Sequence, residues 1–137
     1  MTKLQYLKRT MEGWEREHTG KNIHRFKYVK ESDKQGYLTL SGGADTLDLD
    51  IGFPFRLVRI ETMFDDATAK DIDIYFIPRG FPTLAYPPRV YHEASATFTD
   101  LILQFAEGYE KESAIVHFIV TGTANKLMYP VVYVQEL

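Results

Sequence analysis

A change of character near Gly36 constrains this chain more than any other feature. From there to Leu137 the sequence is cut into short runs that alternate apolar and polar residues, separated by polar turns. Residues 46–51 are typical. Leu47, Leu49 and Ile51 alternate with Asp48 and Asp50, which predicts a strand with one dry face and one acidic, wet face. Comparable runs fall at 23–29, 37–41, 55–64, 71–77, 97–105, 114–121 and 127–134. In 71–77, Ile72, Ile74 and Phe76 are expected inward. Residues 114–121 are apolar on both faces and predict a central strand; Ile119 is expected in the core. Pro130 predicts an edge or a bulge in the last run.

Seven to nine strands joined by short turns read as an all-β, antiparallel sandwich or jelly-roll-like domain, not as alternating strands and helices. The domain is expected to span 37–137, with 1–36 as a helical or extended arm. Thr2 can cap a helix over 3–18, and Leu4, Leu7, Met11 and Trp14 fall at helical spacing. This stripe holds the chain's only Trp. Two uses compete for it, packing onto the domain and docking on another subunit.

Charge divides the same way. Residues 1–34 carry nine Lys/Arg and five Asp/Glu, a net of +4; residues 35–137 carry seven and fourteen, a net of −7. An arm of one sign suits an acidic surface, its own or a neighbour's. Residues 21–30 interleave basic and aromatic groups, but the acidic remainder disfavours nucleic acid.

One connection is long. Residues 78–92 hold four Pro, one Gly and three aromatics, Phe81, Tyr86 and Tyr91. Such a loop is stiff, and its aromatics must pack on something. The interaction candidates are therefore Leu4, Leu7, Met11 and Trp14 on the arm and Phe81, Tyr86 and Tyr91 on the loop. A glycan platform on the loop is an alternative use.

Chemical signatures are sparse. With no Cys, thiolate nucleophiles, thiolate metal sites and disulfides are excluded. His18, His24, His92 and His117 do not fall at metal-pair spacing on one element, and His117 is expected in or near the core. Asp45, Asp48, Asp50, Asp65, Asp66, Asp71 and Asp73 match no calcium motif. There is no nucleophile elbow and no phosphate loop. No catalytic, cofactor or metal residues are assigned, and an enzyme is not expected. No apolar run spans a membrane, and the N-terminus carries no signal-peptide core.

The sandwich, the N-terminal arm and the Pro-aromatic loop together resemble small structural proteins of virus and phage particles, the capsid decoration and accessory head or tail proteins. The resemblance is architectural and transfers no sites. It implies a homo-oligomer, a trimer or another ring, docked on a virion partner such as a major capsid protein, and localisation to the virion. The alternative is a carbohydrate- or receptor-binding β-sandwich module.

Overall fold

The computed structural model describes residues 13–20, 22–29, 36–78, 89–105, 110–111 and 114–137. These form eleven strands and no helix: β1 (Trp14–Gly20), β2 (Ile23–Tyr28), β3 (Leu38–Thr39), β4 (Ala44–Ile51), β5 (Phe55–Phe64), β6 (Lys70–Pro78), β7 (Arg89–Ala96), β8 (Asp100–Gln104), β9 (Glu110–Lys111), β10 (Ala114–Thr121) and β11 (Leu127–Glu136). Nine of them have five residues or more. All pairings are antiparallel, in two sheets. The larger runs β1-β2-β11-β5-β8, with β3 beside β11 and β9 beside β5. The smaller runs β4-β10-β6-β7. The β-sandwich expected from the alternation is what forms.

The sheets close on one apolar core. Leu47, Leu49 and Ile51 of β4, Ile72, Ile74 and Phe76 of β6, and Val116, Phe118 and Val120 of β10 face Phe26, Leu57, Ile60, Val132 and Val134 of the larger sheet. Phe55 and Phe76 meet edge to face across the layers at 6.1 Å. Alternation, broken once in β5 between Leu57 and Ile60, gives each of these strands one buried face, which fixes register because a one-residue slip would invert it.

Three expectations are corrected. Residues 14–18 are strand, not helix. Gly13 has φ +86°, outside the helical region, and the chain enters β1 there as an edge strand of the larger sheet. The Leu4, Leu7 and Met11 part of the stripe lies outside the described residues. Pro130 lies inside the sheet, since β11 runs between β2 and β5. On one side it pairs with β5 throughout; on the other it passes from β3 to β2 between Met128 and Val131, and Pro130 falls in that interval. Finally, Ile119 stands opposite Thr46 and Asp73, on the outward face of β10. Central position in a sheet is not burial on both faces.

The strand β7 begins at Arg89, inside the segment read as loop. Residues 79–88, with Phe81 and Tyr86, lie outside the described residues. Among the described residues, no helix is long and apolar enough to cross a membrane.

Candidate functional site

Trp14 is spent inside the protein. It is 5 % exposed, stacks on Phe118 at 6.2 Å and meets Tyr28 edge to face at 5.6 Å. Its indole Nε1 donates to the Asp48 backbone carbonyl at 2.9 Å, so an inward residue of β1 reaches the edge strand of the other sheet. Tyr91 stands opposite Ile74, half-buried against the core, and burial raises its phenol above the ordinary range. The described residues thus place Trp14 and Tyr91 against their own domain.

The two outer sheet faces are where side chains gather. On the larger sheet, register sets up three rows. Tyr129 stands beside Met63 and Asp100. Lys27, Val131, Glu61 and Ile102 form the second row, and Arg25, Tyr133, Arg59 and Gln104 the third. Met63 is 56 %, Ile102 57 % and Tyr129 38 % exposed. Met63 and Ile102 are diagonal neighbours on adjacent strands, close enough for long side chains to touch. Tyr37 meets Tyr129 edge to face at 5.8 Å and extends the strip. Beside it lies a groove of ≈ 620 Å³ lined by Lys27, Glu61, Met63, Tyr129 and Val131 among others.

Charge borders this strip. Arg25 bonds Glu17 at 3.0 Å and donates from Nε to the Tyr133 hydroxyl at 3.2 Å. Arg59 bonds Glu61 at 2.6 Å, and Arg56 donates to Gln135 at 3.1 Å. Among the described side chains, four cations (Arg25, Lys27, Arg56, Arg59) are interspersed with four anions (Glu15, Glu17, Glu61, Asp100) on this face.

On the smaller sheet Asp48, His117, Tyr75 and Arg89 form one outward row, and Thr46, Ile119, Asp73 and His92 the next. His117 Nδ1 is bonded to Asp48, and His92 Nδ1 lies 2.6 Å from Asp73 Oδ1. The acidic residues noted in sequence are mostly spent locally. Asp45 accepts from the Ser41 amide, Asp65 from the Leu127 amide and Asp71 from the Ser95 amide. Asp66 accepts from the Thr68 hydroxyl at 2.8 Å and pairs with Lys126 at 3.0 Å; with Thr68 foremost, these bonds hold its carboxyl below the usual range. Among the described residues no group of three or more His, Asp or Glu is placed to hold a metal ion.

Two buried polar groups serve the fold. His24, 0 % exposed, accepts from Arg16 Nε at 2.9 Å on Nδ1 and lies 3.0 Å from Glu136 on Nε2, tying β1, β2 and β11 together. Lys70 Nζ donates to the carbonyls of Phe98 at 3.0 Å and Asp66 at 3.3 Å and sits 4.4 Å from the Phe64 ring centroid.

No family model matches the chain, and no curated protein matches it. Similar solved structures include the enzymatically active domain of tailspike protein 4 of bacteriophage CBA120, at 16 % identity and TM-score 0.37. That alignment covers 89 % of this chain and 19 % of the other, so the chain spans about a fifth of that protein. A family 16 carbohydrate-binding module aligns at 13 % identity and TM-score 0.33, covering 90 % of this chain and 92 % of the module.

Proposed function

We propose that this chain is a non-enzymatic assembly protein, of the decoration or accessory kind that virus and phage particles carry. Its docking surface is the outer face of the seven-stranded sheet. The observation that carries this reading is the exposed strip of Met63, Ile102 and Tyr129 with its charged border. An apolar centre with aromatic, Met and Arg residues and a polar rim is the composition of protein interfaces. Two of the three exposed groups are aliphatic, which suits a protein partner better than a sugar ring, whose flat face calls for an exposed aromatic platform.

The occupant assigned to this face is a second copy of the chain. Cations and anions are interspersed on this face, so two copies can meet with opposite charges in contact. A face that pairs with itself about a two-fold axis closes a dimer, so a ring of three, or docking on a capsid lattice, needs a further contact.

The test is the solution mass of the full chain by light scattering, beside a variant carrying Met63→Glu and Ile102→Glu. Both side chains are exposed, but the new Glu residues stand opposite Asp100 and Glu61, so stability is expected to fall by up to about 2 kcal/mol, and a urea melt checks that the variant is folded. The wild type is expected to be oligomeric and the variant monomeric. A monomeric wild type, or a variant that keeps its oligomeric mass, rejects this face.

A further inference from the structure

The strand β8 gives the larger sheet an open backbone edge. It pairs with β5 on one side and with no described strand on the other. Its register against β5 is unbroken from Asp100 to Gln104, and two bonds extend it. The Phe64 amide donates to the Thr99 carbonyl at 2.7 Å, and the Phe105 amide donates to the Val58 carbonyl at 2.9 Å. In an antiparallel ladder, residues bonded to the neighbour alternate with residues turned away from it. Thr99, Leu101, Leu103 and Phe105 therefore face β5 with their backbone groups, and Asp100, Ile102 and Gln104 turn theirs to the open side. The side chains of those three are exposed.

The other sheet edges are blunted. β1 carries Glu15 and Glu17, which pairing with its own copy about Arg16 would set against each other. β4 carries Asp45, Asp48 and Asp50, and its Asp48 carbonyl is already taken by the Trp14 indole. β7 shifts register twice against β6, and Ser95 within it has φ +54°. β8 has none of these features. Turned on itself about a two-fold axis at Ile102, it sets Ile102 on Ile102, Asp100 on Gln104 and Leu101 on Leu103, with no like charges opposite. Asp100, Ile102 and Gln104 then exchange backbone bonds with their opposites in the other copy. Leu101 lies in the core and Leu103 packs against it, so that row runs on from one core to the next. On the outer face, Ile102 continues the exposed strip in the same way.

We propose that β8 is a self-pairing edge, at which two copies of the chain join their larger sheets, antiparallel and in register about Ile102. The occupant is a second copy because the strand is its own complement in pattern and charge, and because this edge is continuous with the strip of Met63, Ile102 and Tyr129. The contact goes beyond the docking face and does not depend on it. It is the further contact which that face leaves open, since two distinct two-fold contacts on one chain link more than two copies.

The experiment is oxidative cross-linking of the full chain, which has no Cys of its own. Three variants are made at exposed positions, Asp100→Cys, Ile102→Cys and Gln104→Cys. Opposite residues of a bonded pair have Cα atoms about 5.5 Å apart, within reach of a disulfide. Asp100 would stand about 14 Å from its own copy, beyond that reach. Ile102→Cys alone is therefore expected to give a covalent dimer under mild oxidation, whereas Asp100→Cys and Gln104→Cys give one only when mixed. Light scattering supplies a second reading without cysteine. Met63→Glu, which breaks the docking face, is expected to remain a dimer through β8. Adding Gln104→Glu should weaken that dimer about tenfold, because it sets Glu against Asp100 twice. In its own chain the new Glu stands opposite Arg59, so the fold is kept. A monomeric Met63→Glu protein, a mixed pair that does not cross-link, or Asp100→Cys or Gln104→Cys cross-linking as well alone as mixed overturns the proposal. Failure of the docking face alone reads differently: wild type and Met63→Glu share one mass while the cross-links persist.

Discussion

Thr62 should be better replaced by valine. It stands on the inward face of β5, opposite Pro130 on β11 and Leu101 on β8, and is 1 % exposed. Among the described residues its Oγ1 finds no hydrogen-bond partner. A buried hydroxyl without a partner costs about 1–3 kcal/mol in protein substitution series. Valine has nearly the same shape, so it leaves no cavity, and its strand preference matches that of threonine. Thr62→Val is therefore expected to stabilise the protein by about 1–2 kcal/mol, the gain left after imperfect packing of the new methyl group. For a chain of this length that is a rise in melting temperature of about 3–6 °C. Thr62→Ser keeps the hydroxyl and loses the methyl, and should cost about 1 kcal/mol. Urea unfolding followed by the fluorescence of Trp14, the single and buried Trp, reads all three proteins. If Thr62→Val is no more stable than wild type at unchanged denaturant slope, the hydroxyl has a partner, and the reasoning fails.

Trp14→Ala should lower stability by about 3–5 kcal/mol through lost packing, visible as a fall in urea midpoint, whatever it does to oligomer mass. Ile74→Ala should cost about 2–5 kcal/mol and Ile119→Ala less than about 1, because one faces the core and the other solvent; equal costs in urea melts would show the register of β6 or β10 to be wrong. Asp66 titrates below its ordinary 3.8 when folded, chiefly through its bond from Thr68. Its contribution is present above the unfolded-state value and is lost as pH falls through the depressed folded one. Asp66→Asn should flatten that part of the acid limb; an unchanged acid limb would mean the turn gains nothing from the charge.

Much of the sandwich was legible because each strand buries one face, and burial of one face writes a period of two into the sequence. Ile72, Ile74 and Phe76 show it directly, and all three are core residues. β1 shows it too. Trp14 and Arg16 stand opposite Tyr28 and Phe26, while Glu15 and Glu17 stand opposite Lys27 and Arg25. That short alternation was masked by the helical spacing of Leu4, Leu7, Met11 and Trp14. Gly13, at positive φ, is where the two patterns part. Neither outer-face cluster could be read in advance. The pair Asp48–His117 is 69 residues apart, and only the register of β4 against β10 brings it together. The strip of Met63, Ile102 and Tyr129 likewise needs β5 set between β11 and β8.

The bond from the Trp14 indole to the Asp48 carbonyl has a bearing on the order of events in folding. β4 is the outer strand of its sheet, and a strand in that place can be zipped onto by a stranger's. The N-terminal hairpin sends its indole across to that strand, where it gives a carbonyl a donor from the same chain and anchors itself on Phe118. Until β1 and β2 have docked on β11, nothing in the hairpin guards this flank. The N-terminal hairpin is thus a latch as well as a wall, tying the edge of one sheet to the other.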